Sequence, residues 1–114
     1  MLTSGDVAEV DFGLPRGREA GFKRPAIVVT AQRMLDRSPN VVQVVPLTTT
    51  IRGFESEVSV EASLDNGLDY PSAAQCAQIR AVSASQVSGV KGNVGTVILS
   101  QVRQAIAVTL GIGP

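Results

Sequence analysis

From residue 5 to 12 the chain alternates with period two: Val7, Glu9 and Asp11 interleave with Ala8, Val10 and Phe12, which predicts a first β-strand. Gly13, Pro15, Gly17 and Gly21 then break the regularity. Residues 13–24, GLPRGREAGFKR, read as a long basic loop closed by Pro25, whose ring pushes Arg24 toward extended geometry. Two uniformly apolar, β-branched runs follow, AIVVT (26–30) and VVQVVPLT (41–48). That is the pattern of strands buried on both faces, so they are expected at the centre of a sheet.

Between those runs AQRMLDR allows one or two helical turns, followed by a turn at Ser38, Pro39 and Asn40. A turn at Arg52 and Gly53 leads into EVSVEA (57–62), an antiparallel strand by its alternation. Residues 63–71 are acidic and turn-rich, and SAAQCAQIRAVS (72–83) reads as one or two strands, although alanine is a poor strand former. Thr96 is placed to cap a helix over 97–110 that stops at Gly111. Ile98, Val102, Ala105, Ile106, Thr109 and Leu110 recur at helical spacing and predict the face laid on the sheet. Short strands followed by one late helix indicate a single α+β domain over residues 1–114, with a small antiparallel barrel or half-open sheet.

Composition narrows the chemistry more than the fold. With 114 residues, 44% hydrophobic and 18% charged, the chain is an ordinary globular domain. No run approaches the roughly 18 apolar residues of a membrane helix. The first residues carry acids where a signal peptide carries bases, so a cytoplasmic protein is expected. Cys76 is the only cysteine and histidine is absent, which excludes an internal disulfide, a cysteine zinc site and every Ser-His or Cys-His nucleophile pair. No metal or cofactor is implied. The net charge is zero but segregated. Arg16, Arg18, Lys23, Arg24, Arg33, Arg37 and Arg52 face only Glu19 and Asp36 between Phe12 and Phe54, and Glu55, Glu57, Glu61, Asp65 and Asp69 follow without a base. Such a division can fold into a positive groove beside a negative flank, or can simply be loops carrying solvated charge.

Three places could carry chemistry. Arg24 joins a basic loop to a buried strand, and a guanidinium fixed there can offer forked donors to a phosphate; its ordinary reading is a solvated charge at a strand end. Thr48, Thr49 and Thr50 lie where a buried strand leaves the sheet, and their hydroxyls can meet phosphate oxygens or a ribose 2′-hydroxyl, although threonine triplets are common in strands. Ser72, Gln78 and Arg80 form the third group; on a strand Gln78 and Arg80 would share a face, with cross-strand bonding or solvation as the ordinary alternative.

Taken in order, these segments resemble the MazF/PemK family over nearly the whole chain. GDVAEVDFG resembles its first strand, PRGREAGFKRPAIVV its P-x-x-G-x-E loop and R-P strand, VVPLTTT its strand ending in threonine, and AQIRAVS its glutamine-apolar-basic motif. LSQVRQAIAVTLGI matches the terminal helix in position and pattern. Ala77 stands where many relatives have an acid directly before the glutamine, which bears on base recognition.

The resemblance implies an SH3-like β-barrel with short helices, paired as a homodimer that binds single-stranded RNA across the interface. It implies metal-independent cleavage to a 2′,3′-cyclic phosphate and a 5′-hydroxyl. By resemblance Arg24 and Thr48 are catalytic, while Glu19 and Gln78 bind or position; Lys23, Thr49, Ser72 and Arg80 complete the expected RNA contacts. A cognate antitoxin with a disordered acidic tail is the implied protein partner. Two other readings use the same fold: a toxin of the CcdB type that poisons a protein such as gyrase, and a binding module without catalysis. In the first of these Arg24 and Thr48 would be dispensable and contacts would concentrate on the terminal helix.

Overall fold

The computed structural model describes residues 1–113. Seven antiparallel strands and a long helix follow one another as β1 (Asp6–Asp11), β2 (Lys23–Val28), the one-turn α1 (Gln32–Leu35), β3 (Val41–Thr48), β4 (Glu57–Val60), β5 (Ser72–Gln75), β6 (Arg80–Ser83), β7 (Val87–Asn93) and α2 (Gly95–Thr109). Hydrogen bonding runs β4-β5-β3-β2-β1-β7, with β6 also on β3. The predicted α+β class is what the molecule adopts. The closed barrel is not formed: among the described residues β4 and β7 are the two ends of an open path. Helix α2 packs beside β4, near one of those ends.

Both apolar runs are central, as their composition predicts. Side chains of a strand alternate between faces, so β2 and β3 feed two separate cores. Ile27, Val29, Val45 and Leu47 pack with Val7, Val60, Cys76 and the helix residues Leu99 and Val102. Ala26, Val28, Val42 and Val44 pack with Val10, Phe12, Leu35 and Val82 on the opposite face. Each valine, isoleucine, leucine or phenylalanine among them contributes about 1.5–3 kcal/mol when fully buried.

The segment 72–83 is a strand interrupted once. Thr48 and Leu47 pair with Ala73 and Ala74, and Val44 to Val41 pair with Arg80 to Ser83. Between them Cys76–Gln78 forms a 3-10 turn. Three residues leave the ladder there, burying Cys76 and turning Ala77 outward. Gln78 and Arg80 therefore do not share one strand face as expected, since β6 begins only at Arg80.

Sequence reading misplaces two further features. The strand Val87–Asn93 is absent from it, because VSGVKGN carries two glycines and no apolar alternation; it exists by pairing with β1 across two register shifts. Helix α2 starts at Gly95, two residues before the Val97 that a Thr96 cap implies, with Asn93 Oδ1 accepting from Gly95 N at 2.8 Å and Thr96 inside the helix. Its end agrees. Gly111 has φ of 69°, and the Gly111 and Ile112 amides donate to Val108 and Ala107, a Schellman closure. Ile98, Val102, Ala105 and Ile106 face the core as predicted, whereas Thr109 and Leu110 are exposed and Leu99 takes part instead.

The acidic turn at 63–68 is tied to β7. Asn66, only 5% exposed, accepts from Ser63 N and Leu68 N and donates to the Glu61 carbonyl at 2.7 Å. Asn93 N donates to the Asp65 carbonyl at 2.8 Å, and a Cβ at Gly92 would collide with that carbonyl and the Asn66 backbone. Gly92→Ala should therefore lower unfolding free energy by about 1–3 kcal/mol, read by urea titration; unchanged stability would mean the turn moves freely. Burial also pushes the Cys76 thiol up from 9.0 to about 11. The unfolded thiol ionises first, so this contribution to stability is complete below about pH 9 and disappears as pH rises to about 11. Wild type should lose more stability over that window than Cys76→Ala, measured by denaturation at stepped pH.

Candidate functional site

The site lies where the sheet divides. The β2–β3 ladder runs Val28 with Val44, Ile27 with Val45, and ends at Ala26 with Pro46. Pro25 falls where the next hydrogen-bonded pair with Leu47 would form and has no N–H to donate, so the pairing stops beside it. Beyond that point β2 continues with β1 alone, and β3 turns to β5. Carrying the β2–β3 register on by two residues sets Arg24 against Thr48, on the same face.

Both residues line an open cleft of about 510 Å³. One wall is the β1–β2 loop, with Arg18, Glu19 and Ala20. The other is the β3–β4 loop, with Thr50, Arg52 and Phe54, and the floor carries Glu57, Gln75 and Gln78. Arg24 is half-buried, and its Nε donates to the Gly21 carbonyl at 3.2 Å, leaving the two terminal nitrogens of the guanidinium for another partner. Thr48 Oγ1 accepts from Thr50 N at 3.0 Å, which spends a lone pair and leaves the hydroxyl proton available. The cleft is of mixed sign, since Glu19 and Glu57 stand among Arg18, Arg24 and Arg52. The positive groove expected from the charge distribution is thus interrupted by carboxylates.

Gln78 has a definite task. Its Oε1 accepts from Ala20 N at 2.5 Å and its Nε2 donates to the Arg18 carbonyl at 3.2 Å. The amide bridges the 3-10 turn to the β1–β2 loop and holds Arg18 and Glu19 at the cleft wall. It positions that loop, with both amide ends engaged inside the protein.

The remaining expected contacts disperse. Arg80 sits over the Phe12 ring at 5.3 Å from its centroid and borders an adjoining shallow cavity with Glu19 and Gln78. A cation over an aromatic face is held by the ring quadrupole. Lys23 is exposed at the start of β2 and, by strand alternation, points away from the Arg24 face. Thr49 is exposed beside Ile51, Tyr70 and Pro71 in a separate depression. Ser72 is 4% exposed and its hydroxyl donates to the Tyr70 carbonyl at 3.0 Å, so it offers nothing to a ligand in this conformation.

Glu57 and Gln75, which the sequence did not mark as site residues, stand in the cleft with Phe54. Glu57 and Gln75 are directly opposed in the β4–β5 ladder. Glu57 Oε1 accepts from Arg52 N at 3.1 Å and Gly53 N at 2.8 Å, clamping the β3–β4 loop. Gln75 Oε1 is buried without a hydrogen-bond partner among the described residues. An unpaired buried acceptor costs about 1–3 kcal/mol, so its retention calls for a reason. No local signal announces this trio, because its members meet only through strand pairing.

The bridge made by Gln78 has a measurable consequence. Gln78→Leu should leave the buried Ala20 amide without its acceptor, a local penalty of about 1–3 kcal/mol. Amide exchange at Ala20 should accelerate by about tenfold or more while exchange in β2 and β3 is unchanged. Unaltered protection at Ala20 would show that the loop is held by other contacts.

Comparison with known proteins agrees with this architecture. A family model described as PemK-like, MazF-like toxin of type II toxin-antitoxin system matches residues 3–110. Endoribonuclease MazF9 of Mycobacterium tuberculosis is 30% identical over 117 residues, covering 98% of each chain. MazF from Deinococcus radiodurans superposes with a TM-score of 0.80 at 23% identity over 96% of both chains. An endoribonuclease from a mycobacterial species, solved in complex with its cognate antitoxin, gives 0.77 at 20% identity over 100% of this chain and 99% of that one. These two structures establish likeness of fold. Together with the site at the divided sheet, the family match and the full-length relative give one conclusion: the chain belongs to the PemK-like, MazF-like toxin family of type II toxin-antitoxin systems.

Proposed function

We propose that the protein is a metal-independent endoribonuclease that cleaves single-stranded RNA in the cleft between the β1–β2 and β3–β4 loops. The observation that carries this reading is the juxtaposition of Arg24 and Thr48, each just past the end of the β2–β3 ladder and both lining one open cleft. A guanidinium with free donors beside a hydroxyl is what an in-line displacement at phosphorus needs.

RNA supplies its own nucleophile. The 2′-oxygen attacks the adjacent phosphorus and the bond to the 5′-oxygen breaks. The products are a 2′,3′-cyclic phosphate and a 5′-hydroxyl, the 2′ proton being balanced by the one the leaving oxygen gains. The part of Arg24 is electrostatic: its guanidinium neutralises charge as the phosphorane forms. Thr48 donates to a non-bridging oxygen or orients the attacking hydroxyl. Glu19 and Arg18, fixed by Gln78, line the path of the strand. A homodimer with RNA crossing the interface, acting in the cytoplasm, fits this reading. The antitoxin solved with a mycobacterial relative supports a partner whose acidic tail would occupy the same cleft.

Single-stranded RNA incubated with the protein in excess EDTA should be cut to fragments ending in cyclic phosphate. Arg24→Ala and Thr48→Ala should each reduce kcat by about 100 to 1,000-fold. Both sit at the cleft rather than in the two cores, so thermal midpoints should change little. Cleavage that required magnesium, or that survived Arg24→Ala, would eliminate the mechanism.

A further inference from the structure

Building on the ribonuclease reading, we propose that Phe54, Glu57 and Gln75 form a nucleobase subsite that takes a guanine next to the cleaved linkage. Two independent observations converge on it. The first is a ring held out in the open. Phe54 is 59% exposed yet borders the cleft. Its backbone is pinned, because Glu57 N donates to the Phe54 carbonyl at 2.9 Å while Glu57 Oε1 takes the Arg52 and Gly53 amides. Gly53 supplies the positive φ of 73° that this tight turn requires. A phenyl ring fixed at the rim of a cleft lined by arginines is a stacking platform for a base, whose phosphates Arg18 and Arg52 can meet.

The second observation is the pair of acceptors behind the ring. Gln75 Oε1 is buried and unpartnered, and among the described residues no hydrogen bond holds either end of its amide, so it can turn to present the oxygen. Glu57 stands directly across the β4–β5 ladder, with its second carboxylate oxygen outside the loop clamp. Side chains directly opposed on antiparallel strands have Cβ atoms only about 5 Å apart. Two neighbouring acceptors select an edge with two neighbouring donors. Among the four bases only guanine presents one, its N1–H beside the N2 amine. Adenine and cytosine place a ring acceptor beside their amine, and uracil sets one N–H between two carbonyls. An unpaired acceptor at such a site is satisfied when the correct base arrives and remains unsatisfied with a wrong one, which is how a polar site discriminates strongly.

The test maps every cut made by wild type, Gln75→Leu and Phe54→Ala in a single-stranded RNA pool of random sequence, with Phe54→Tyr as the conservative control. Wild-type cuts should share a guanine at one fixed position. Replacing that guanine by inosine, which lacks the N2 amine, should slow wild-type cleavage by about tenfold and leave Gln75→Leu indifferent to the change. Phe54→Ala should raise KM by about tenfold with kcat nearly unchanged, and Phe54→Tyr should restore it. Removing an unsatisfied buried oxygen should leave the Gln75→Leu melting temperature equal to or above that of wild type. Cuts without a fixed guanine, or an identical cut pattern in Gln75→Leu and wild type, would overturn the subsite and leave the ribonuclease reading intact. Failure of the wild type to cut any RNA would overturn both.

Discussion

The structure turns on the place where β3 changes partners. For three residue pairs β3 is zipped to β2, and at Pro46 that ladder ends. From Leu47 onward its bonds go to β5 on the other edge. Pro25, which would share the next hydrogen-bonded pair with Leu47, cannot donate, so two strands held firmly through their apolar centres separate at their polar ends. That separation opens the cleft and leaves Arg24 and Thr48 on its two sides.

Firm support for so open a site comes from burying both faces of β2 and β3. Ile27, Val45 and Leu47 point into the core under α2, while Ala26, Val28 and Val44 point into the core around Phe12. Arg24 is the next residue of β2 on the Ala26 and Val28 face, and Thr48 is the first residue of β3 beyond Leu47. Arg24 thus inherits its direction from the same alternation that buries Ala26 and Val28, and Thr48 inherits its own from Val44. Precision at the cleft comes from packing elsewhere, which is what the proposed electrostatic catalysis needs.

The loops are held by side-chain amides and carboxylates in place of apolar contacts. Gln78 ties the β1–β2 loop to the 3-10 turn, and Glu57 ties the β3–β4 loop to β4. Such loops are fixed enough to present Arg18 and Phe54 and exposed enough to admit a polymer. Carboxylates inside a cleft meant for an anionic chain look adverse at first. Glu57 spends one oxygen on two backbone amides, and in the proposed subsite the other is the acceptor for a neutral base edge while arginines meet the phosphates.

Hydrophobic periodicity by itself determined the central strands, the first strand, the late helix with its glycine stop, and the α+β class, because burial acts on residues near in sequence. The Arg24-Pro25 junction and the threonines after the apolar run were also legible, since proline geometry and strand ends are local facts. Only the tertiary structure decided the rest. Strand β7 exists through pairing with β1 and has no pattern of its own, and the 3-10 turn at Cys76–Gln78 exists because three residues do not fit against β3. The same turn took Gln78 from an expected strand face to a loop clamp, and β5 pairing buried Ser72. Phe54, Glu57 and Gln75 meet only because β4 is laid beside β5, a long-range pairing that no local stretch of sequence encodes.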